Sequence, residues 1–152
     1  MVWLMVMPNG LISHKTIRGS FKSLNYLDLL RDLAIPILKL NFRDDFIFQQ
    51  DNSSVHTAKI IKKIFEKSRI KLLKWPAKSP DINIAEDLWR MISEDVYDGP
   101  QYSNLSSLEK AIDNAVMTIN TTRKQDILDL YTSIPSRLVK ILCKNGKFYN
   151  KC

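Results

Sequence analysis

The sequence predicts a mixed α/β fold that begins with a β-hairpin, continues with parallel strands joined by helices and ends in helices. Two patterns predict this class. Short apolar runs bounded by turn residues alternate with helical apolar spacing up to about residue 75, and only helical spacing follows. A length of 152 residues, with 45% hydrophobic and 26% charged residues, suits one folded domain that spans residues 1–152.

The predicted strands lie in the first half of the chain. Residues 1–7 and 11–18 are the arms of the hairpin, because Pro8-Asn9-Gly10 between them is a turn sequence. Residues 46–50 and 70–75 are short apolar runs, which we assign to two parallel strands. The first of these runs leads directly to Asp51.

The predicted helices alternate with these strands and then follow them. Apolar spacing predicts a helix over residues 25–40, with Pro36 as a kink or stop near its end. A second helix begins at Asn52-Ser53-Ser54, and its apolar face comprises Ile60, Ile61, Ile64 and Phe65. Asn83 is an N-cap for a helix to about residue 95. Residues 105–119 form a longer helix, and residues 124–131 and 135–143 form two shorter ones.

Charge is unevenly distributed along the chain. Of the net charge of +7, residues 1–54 contribute +1, residues 55–78 contribute +7, residues 79–136 contribute −6, and residues 137–152 contribute +5. Concentrated cations attract nucleic acid phosphates, although a solvated helix face can have the same composition. We expect no membrane span, secretion signal or zinc site, because the apolar runs are short and the two cysteines and two histidines lack metal-ligand spacing.

Two acidic residues occupy positions where α/β proteins display functional groups. Asp51 follows a strand, and Glu86 lies near the start of the helix after the second parallel strand, so we expect both at one edge of the sheet. Two carboxylates there suit Mg²⁺ and phosphodiester chemistry. Taken singly, an acidic residue at either position is more often structural than catalytic. Glu86 could close a capping box with Asn83, and Asp51 could complement the dipole of the helix that follows it.

Two long motifs resemble one family. Residues 48–58 (FQQDNSSVHTA) resemble the second-aspartate motif of mariner-like (Tc/mariner superfamily) transposases, and residues 75–89 (WPAKSPDINIAEDLW) resemble that superfamily's glutamate motif. The 34 residues between Asp51 and Glu86 are the spacing typical of its Tc-like branch. Residues 133–138 (SIPSRL) are similar to the start of the family's C-terminal helix, although the family usually has proline at the position of Ile84.

The resemblance implies a ribonuclease H-like fold: a mixed sheet flanked by helices, with a helical C-terminus. In this family three acidic residues bind two Mg²⁺ or Mn²⁺ ions and cut and rejoin DNA at transposon ends. Asp51 would be the second acid and Glu86 the third. Asn52 and His56 match the motif as accessory residues, and for His56 a helix-start hydrogen-bonding role is preferred to a catalytic one. The residues expected to contact DNA phosphates are Lys59, Lys62, Lys63, Lys67 and Lys78.

The family's first catalytic aspartate and its helix-turn-helix modules precede the region that this chain resembles. We therefore expect an N-terminally truncated catalytic domain that lacks the first, central strand. Neither Asp28 and Asp32 nor Asp44 and Asp45 replaces the missing acid. With two of three carboxylates, such a chain should bind metal weakly, and alone it should be inactive.

Two functional interpretations follow. In the first, the chain is part of a nuclear DNA transposase that acts on transposon ends and target DNA, as a homodimer. In the second, it is a non-catalytic DNA-binding or interaction module derived from a transposable element. Neither interpretation involves a membrane or a small-molecule substrate.

Overall fold

The structure is a computed structural model that describes residues 1–43, 46–77, 79–99 and 101–143. Two compact units divide the chain: the first is drawn from Met1 and Ile17–Lys78, the second from Val2–Thr16 and Ser79–Cys152. The elements in chain order are β1 (Val2–Val6), β2 (Ile12–Thr16), α1 (Ser23–Leu29), a π-helical turn (Leu30–Ala34), α2 (Ile35–Phe42), β3 (Ile47–Phe48), α3 (Ser54–Thr57), α4 (Lys59–Lys67), β4 (Lys71–Leu72), a 3₁₀ turn (Pro80–Ile82), α5 (Ile84–Tyr97), α6 (Leu105–Thr122) and α7 (Lys124–Cys143).

The hairpin predicted at the N-terminus is confirmed and belongs to the second unit. Strands β1 and β2 pair antiparallel, with Val6 opposite Ile12. Gly10 closes the turn with a φ of +78°, and a Cβ atom there would lie 3.0 Å from the backbone oxygen of Lys124. Only glycine combines that backbone conformation with so close a neighbour. The hairpin turn is thereby fixed against the start of α7.

Side chains of α6 and α7 satisfy backbone groups at the outer edges of this hairpin. The side-chain amide of Asn120 accepts from the Ile12 amide at 2.7 Å and donates to the Ile12 carbonyl at 3.0 Å. The Tyr131 hydroxyl donates to the Val6 carbonyl at 3.0 Å. These bonds partly replace the neighbouring strands that a wider sheet would supply. The core beneath the hairpin comprises Ile12, Leu88, Met91, Ile92, Val96, Ala115, Val116, Ile119 and Ile127.

The parallel pair predicted in the first unit is also confirmed, but it is shorter than expected. Strands β3 and β4 pair only at Ile47 with Lys71 and at Phe48 with Leu72. The prediction of strands over residues 46–50 and 70–75 is corrected to Ile47–Phe48 and Lys71–Leu72, because the chain soon after β3 reaches Ser53, the N-cap of α3. Among the described residues, β1–β2 and β3–β4 are separate two-stranded sheets.

Helical predictions in the first unit need two corrections. Pro36 does not stop its helix, which continues to Phe42. The π-helical turn immediately before it, in which the Ile35 amide donates to the Leu30 carbonyl, accommodates the missing proline N–H. The helix predicted from residue 52 is two helices, because Ala58 is extended with a ψ of 144°. In α4, Ile61 and Phe65 are buried as predicted, whereas Ile60 is exposed.

The C-terminal residues form one helix rather than the two predicted. Helix α7 runs through Pro135. Side chains on both sides of the proline are anchored in the second unit: Ile127 is fully buried, and Arg137 pairs with Asp87. These anchors stabilise a continuous helix despite the hydrogen bond that proline removes. None of the described helices is both long and apolar enough to cross a membrane.

Candidate active site

Asp51 lies in the first unit, three residues beyond the end of β3. Its Oδ1 atom accepts from the Ser53 amide at 3.0 Å and lies 2.6 Å from Nδ1 of His56. The side chain is 56% exposed. The Ser53 side chain also lowers the pKa of this carboxyl, and the Ser53 amide and His56 bonds leave its Oδ2 atom unused. Asp51 therefore uses one oxygen in the local fold and leaves the other available to a ligand.

The environment of Asp51 favours its ionised form. Partial burial raises the pKa of the carboxyl, but hydrogen bonds from the Ser53 amide and the His56 ring outweigh burial and lower the pKa below its usual value. At neutral pH the group is a carboxylate. Asp51 can serve both the start of α3 and a ligand, because its structural hydrogen bonds use Oδ1 and a ligand would use Oδ2.

A chain of hydrogen bonds from Tyr26 through Gln50 holds the backbone of His56. The hydroxyl of Tyr26, a fully buried residue, donates to Oε1 of Gln50 at 2.8 Å, and Nε2 of Gln50 donates to the His56 carbonyl at 3.2 Å. The His56 ring also packs on the Tyr26 ring, with centroids 4.6 Å apart. Burial, and secondarily the charge of Asp51, raises the pKa of Tyr26, so its hydroxyl stays protonated.

The helix-start role predicted for His56 is present. Its amide donates to the side chain of Ser53, the N-cap of α3, at 3.4 Å. Its ring nevertheless contacts Asp51, which a purely local cap would not require. The side chain of Asn52, the other accessory residue, donates to the Trp75 carbonyl at 2.8 Å and so ties the segment after β3 to the loop after β4.

Glu86 lies in the second unit, at the third position of α5. The predicted N-cap is confirmed, since the Asn83 side chain accepts from the Ala85 amide at 3.2 Å. The capping box is not formed, because the Asn83 amide donates to the Pro80 carbonyl and the Glu86 carboxylate makes no hydrogen bond to any described residue. Glu86 is exposed. Ile84, which stands where the family usually has proline, is buried.

The two carboxylates are each available, but they belong to different units, and their convergence at one sheet edge stays a prediction. The described residues contain no cluster of three or more His, Cys, Asp or Glu side chains that could hold a metal. Asp28 and Asp32 are exposed and pair with Arg31, as expected of a solvated helix face. Asp44 and Asp45 lie outside the described residues.

The predicted phosphate contacts lie mainly on α4. Within the described part of the chain, its four lysines are exposed and make no ion pair: Lys59, Lys62, Lys63 and Lys67. The first, third and fourth recur every four residues, so they share one stripe of the helix. Lys78 and residues 144–152 of the basic tail lie outside the described residues.

The sequence did not indicate three residues next to the candidate residues: Tyr26 and Gln50, which contact His56, and Asp87, which follows Glu86. Tyr26 belongs to an apolar helical pattern, and only its buried hydroxyl, which requires a partner, could have singled it out. Gln50 was part of the aspartate motif without an assigned role. Asp87 is buried and paired with Arg137, although an Asp beside an exposed Glu in a helix gives no sign of burial.

Known proteins similar to this chain are named as transposases, and the matching family is named as an endonuclease family. The sequence profile of the DDE superfamily endonuclease family matches residues 1–109. The Tc3 transposase of Caenorhabditis elegans is 31% identical over 146 residues, which are 95% of this chain and 40% of that protein. The Tcb1 transposase of Caenorhabditis briggsae is 29% identical over 146 residues, which are 96% of this chain and 52% of that protein. The chain thus spans about half the length of these relatives, or less.

Solved structures agree on the fold. The Mos1 transposase catalytic domain with raltegravir and Mg matches with a TM-score of 0.81 and 16% identity, over 98% of this chain and 76% of that one. The Mos1 mariner paired end complex with Mn matches with a TM-score of 0.82 and 17% identity, over 98% of this chain and 44% of that one. The predicted ribonuclease H-like fold is confirmed.

Proposed function

Because the chain belongs to the DDE superfamily endonuclease family, in its mariner-like transposase branch, we propose that it supplies two acidic residues of a DNA cleavage and strand-transfer site. Asp51 and Glu86 are those residues. The observation that carries the proposal is the unused Oδ2 atom of Asp51, on a carboxylate held ionised by Ser53 and His56. Glu86 adds a second exposed carboxylate that its helix does not use for capping.

The available oxygens fit a hard divalent cation. Mg²⁺ and Mn²⁺ prefer carboxylate oxygens and keep several waters, so exposed carboxylates suit them. Two similar Mos1 structures contain Mg and Mn. A bound cation would lower the pKa of an attacking hydroxyl group and offset charge on the leaving oxygen. Asp51 Oδ2 and Glu86 would hold it, while His56 keeps the Asp51 carboxylate oriented.

The proposed reactions are hydrolysis and transesterification of DNA. In the first, a water oxygen attacks phosphorus, the P–O3′ bond breaks, and the strand ends in a 3′-hydroxyl and a 5′-phosphate. In the second, that 3′-oxygen attacks a phosphorus of target DNA and displaces the target's own 3′-oxygen. In each step the attacking oxygen loses one proton and the leaving 3′-oxygen gains one, so the protons balance.

The proposed substrate is DNA at transposon ends, because solved Mos1 complexes contain it. The lysines of α4 would neutralise phosphates without reading the sequence, since isolated ammonium groups carry no base code. We propose a nuclear location for the chain, because its proposed substrate is chromosomal DNA. A homodimer that holds two ends remains a proposal from the family resemblance.

A second candidate function is a non-catalytic DNA-binding module. The exposed lysines of α4, which make no ion pair within the described part of the chain, favour it. It requires the α4 lysines but neither carboxylate.

Binding and nicking assays with Asp51→Asn and Glu86→Gln distinguish the two candidates. The probes are a fluorescent DNA duplex for DNA affinity, Mn²⁺ alone for metal affinity and supercoiled plasmid with Mn²⁺ for nicking. Asp28→Asn is the control for Asp51→Asn, and Glu94→Gln is the control for Glu86→Gln. Each control removes an exposed charge elsewhere in the same unit as its site residue.

Because the chain has two of the three acids, weak or absent nicking is expected from both candidates, and Mn²⁺ affinity decides between them. The transposase proposal predicts that both site variants weaken Mn²⁺ binding about tenfold or more while DNA affinity stays within about twofold. DNA binding with an Mn²⁺ affinity that neither site variant changes would favour the binding module.

A further inference from the structure

A buried ion pair connects α7 to the first turn of α5. Nη1 of Arg137 lies 2.6 Å from Oδ2 of Asp87, and the two side chains are only 14% and 7% exposed. Asp87 is the one charged side chain classed as buried among the described residues. A buried carboxylate requires a partner, so this pair constrains both helices where they meet.

The Arg137 guanidinium makes further contacts that fix its own position. Its Nε donates to Oγ of Ser133 at 2.8 Å, and Nη1 also lies 3.4 Å from the Asp81 carbonyl. Ser133 in turn donates to the Leu130 carbonyl at 2.7 Å. One side chain therefore contacts the 3₁₀ turn before α5 and the first turn of α5 itself.

The Arg137 contacts with Asp81 and Asp87 lie on either side of Glu86 in the sequence. Asp81 precedes it by five residues, and Asp87 follows it directly. The Glu86 side chain makes no hydrogen bond to any described residue, so its direction depends on the backbone of the turn that carries it. Nη1 of Arg137 makes both of these contacts while Nε is fixed by Ser133, and a lysine ammonium has no second nitrogen for the Ser133 contact.

We propose that Arg137 is a positioning residue for Glu86: its contacts with Asp87 and Asp81 set the orientation of the first turn of α5. The role of Glu86 as a cation ligand rests on the proposed function above. The orientation of the turn does not, and it is measurable without any cation. Groups that hydrogen-bond a metal ligand directly contribute about 10- to 100-fold to metal affinity, and we expect the lower end of that range for Arg137, which acts through the backbone.

The alternative is that the ion pair serves stability alone. Apolar residues often replace a buried ion pair without loss of stability. The double variant Asp87→Leu/Arg137→Met therefore restores stability but removes the contacts with Asp81 and Ser133. It separates the two roles, as neither single variant can.

The experiment compares Arg137→Met, Arg137→Lys, the double variant and the control Arg90→Met, which removes an exposed arginine of α5. Three quantities are measured in each: the unfolding midpoint, the ¹⁵N order parameters of residues 84–88, and the Kd for Mn²⁺. The Kd is also measured in Glu86→Gln. In the double variant we expect the parent midpoint, order parameters that fall from about 0.85 toward 0.6, and an about tenfold higher Kd. Arg137→Lys should be intermediate, and Arg90→Met should match the parent.

A double variant with parent-like order parameters would overturn the inference, because the pair would then serve stability alone. So would lowered order parameters in Arg90→Met. If Glu86→Gln leaves Mn²⁺ binding unchanged, the proposed function fails at Glu86, while the order parameters still decide the role of Arg137.

Discussion

Nδ1 of His56 lies 2.6 Å from Oδ1 of Asp51, while the bonds from the His56 ring and the Ser53 amide leave the other carboxylate oxygen of Asp51 unused. This contact divides the carboxylate into a structural oxygen and an available one. It also gives His56 a role that the sequence motif alone did not define: it orients the acid.

Removal of the His56 ring nitrogen should raise the pKa of Asp51. In His56→Phe an aromatic ring stays beside Tyr26, but the hydrogen bond to Oδ1 is lost, so the pKa moves toward its usual value. A ¹³C NMR titration of the Asp51 carboxyl measures this directly. Asp28 serves as the internal control. An unchanged Asp51 titration would show that the His56 contact is absent in solution.

The depressed pKa of Asp51 also predicts a sign for the pH dependence of stability. The folded-state pKa is lower than the unfolded one, so the contribution is complete above about pH 5 and is lost as the pH falls through the folded value. Because the side chain is 56% exposed, solvent screening keeps it below about 1 kcal/mol. The difference in free energy of unfolding between the parent and Asp51→Asn should therefore shrink only in acid. A difference that grew in acid would contradict this sign.

Tyr26→Phe should destabilise the chain by about 1–2 kcal/mol, because the Gln50 side chain loses its buried donor while the ring packing remains. Urea unfolding measures the change. Tyr97→Phe, at a residue that is 75% exposed, is the control and should stay within about 0.5 kcal/mol. Equal effects from the two variants would mean that the Tyr26–Gln50 bond contributes nothing.

Pro135→Ala tests the continuity of α7. If the helix runs through this position, alanine restores an amide donor and should raise the free energy of unfolding by about 1–3 kcal/mol. Two separate helices with Pro135 at the start of the second would gain nothing from the change. Thermal unfolding, with Pro36→Ala as a second proline variant, decides between them.

The lysine stripe of α4 should bind DNA phosphates. Replacement of Lys59, Lys63 and Lys67 by Gln should weaken binding of a fluorescent duplex about equally for all sequences, and lower the salt slope by about one per lost contact. Lys110→Gln on α6 is the control for the loss of one lysine charge elsewhere in the chain. An unchanged salt slope in the triple variant would place the DNA elsewhere.

Much of this fold follows from local patterns. The hairpin is specified by Pro8-Asn9-Gly10 between two apolar arms, and the start of α5 by Asn83. The continuity of α7 was missed because it depends on contacts far along the chain, such as Arg137 with Asp87. The strand lengths were also not predictable from local sequence, because a strand extends only as far as the partner strand beside it.

The candidate site was predictable only in part. Motif spacing singled out Asp51, Glu86 and His56, but not the groups that hold them. The Tyr26–Gln50–His56 chain joins residues up to 30 positions apart, and no local signal marks such a network. The lysines were predictable from charge density, because exposure is their default state.

Paramagnetic broadening by Mn²⁺ tests the central claim most directly. The account predicts that Mn²⁺ broadens the amide signals near Asp51 and near Glu86 in the parent chain, and that Asp51→Asn or Glu86→Gln reduces the affinity about tenfold or more. Asp28→Asn and Glu94→Gln should leave the pattern intact. Broadening confined to other acidic residues, or unaffected by both site variants, would contradict the assignment of Asp51 and Glu86 as cation ligands.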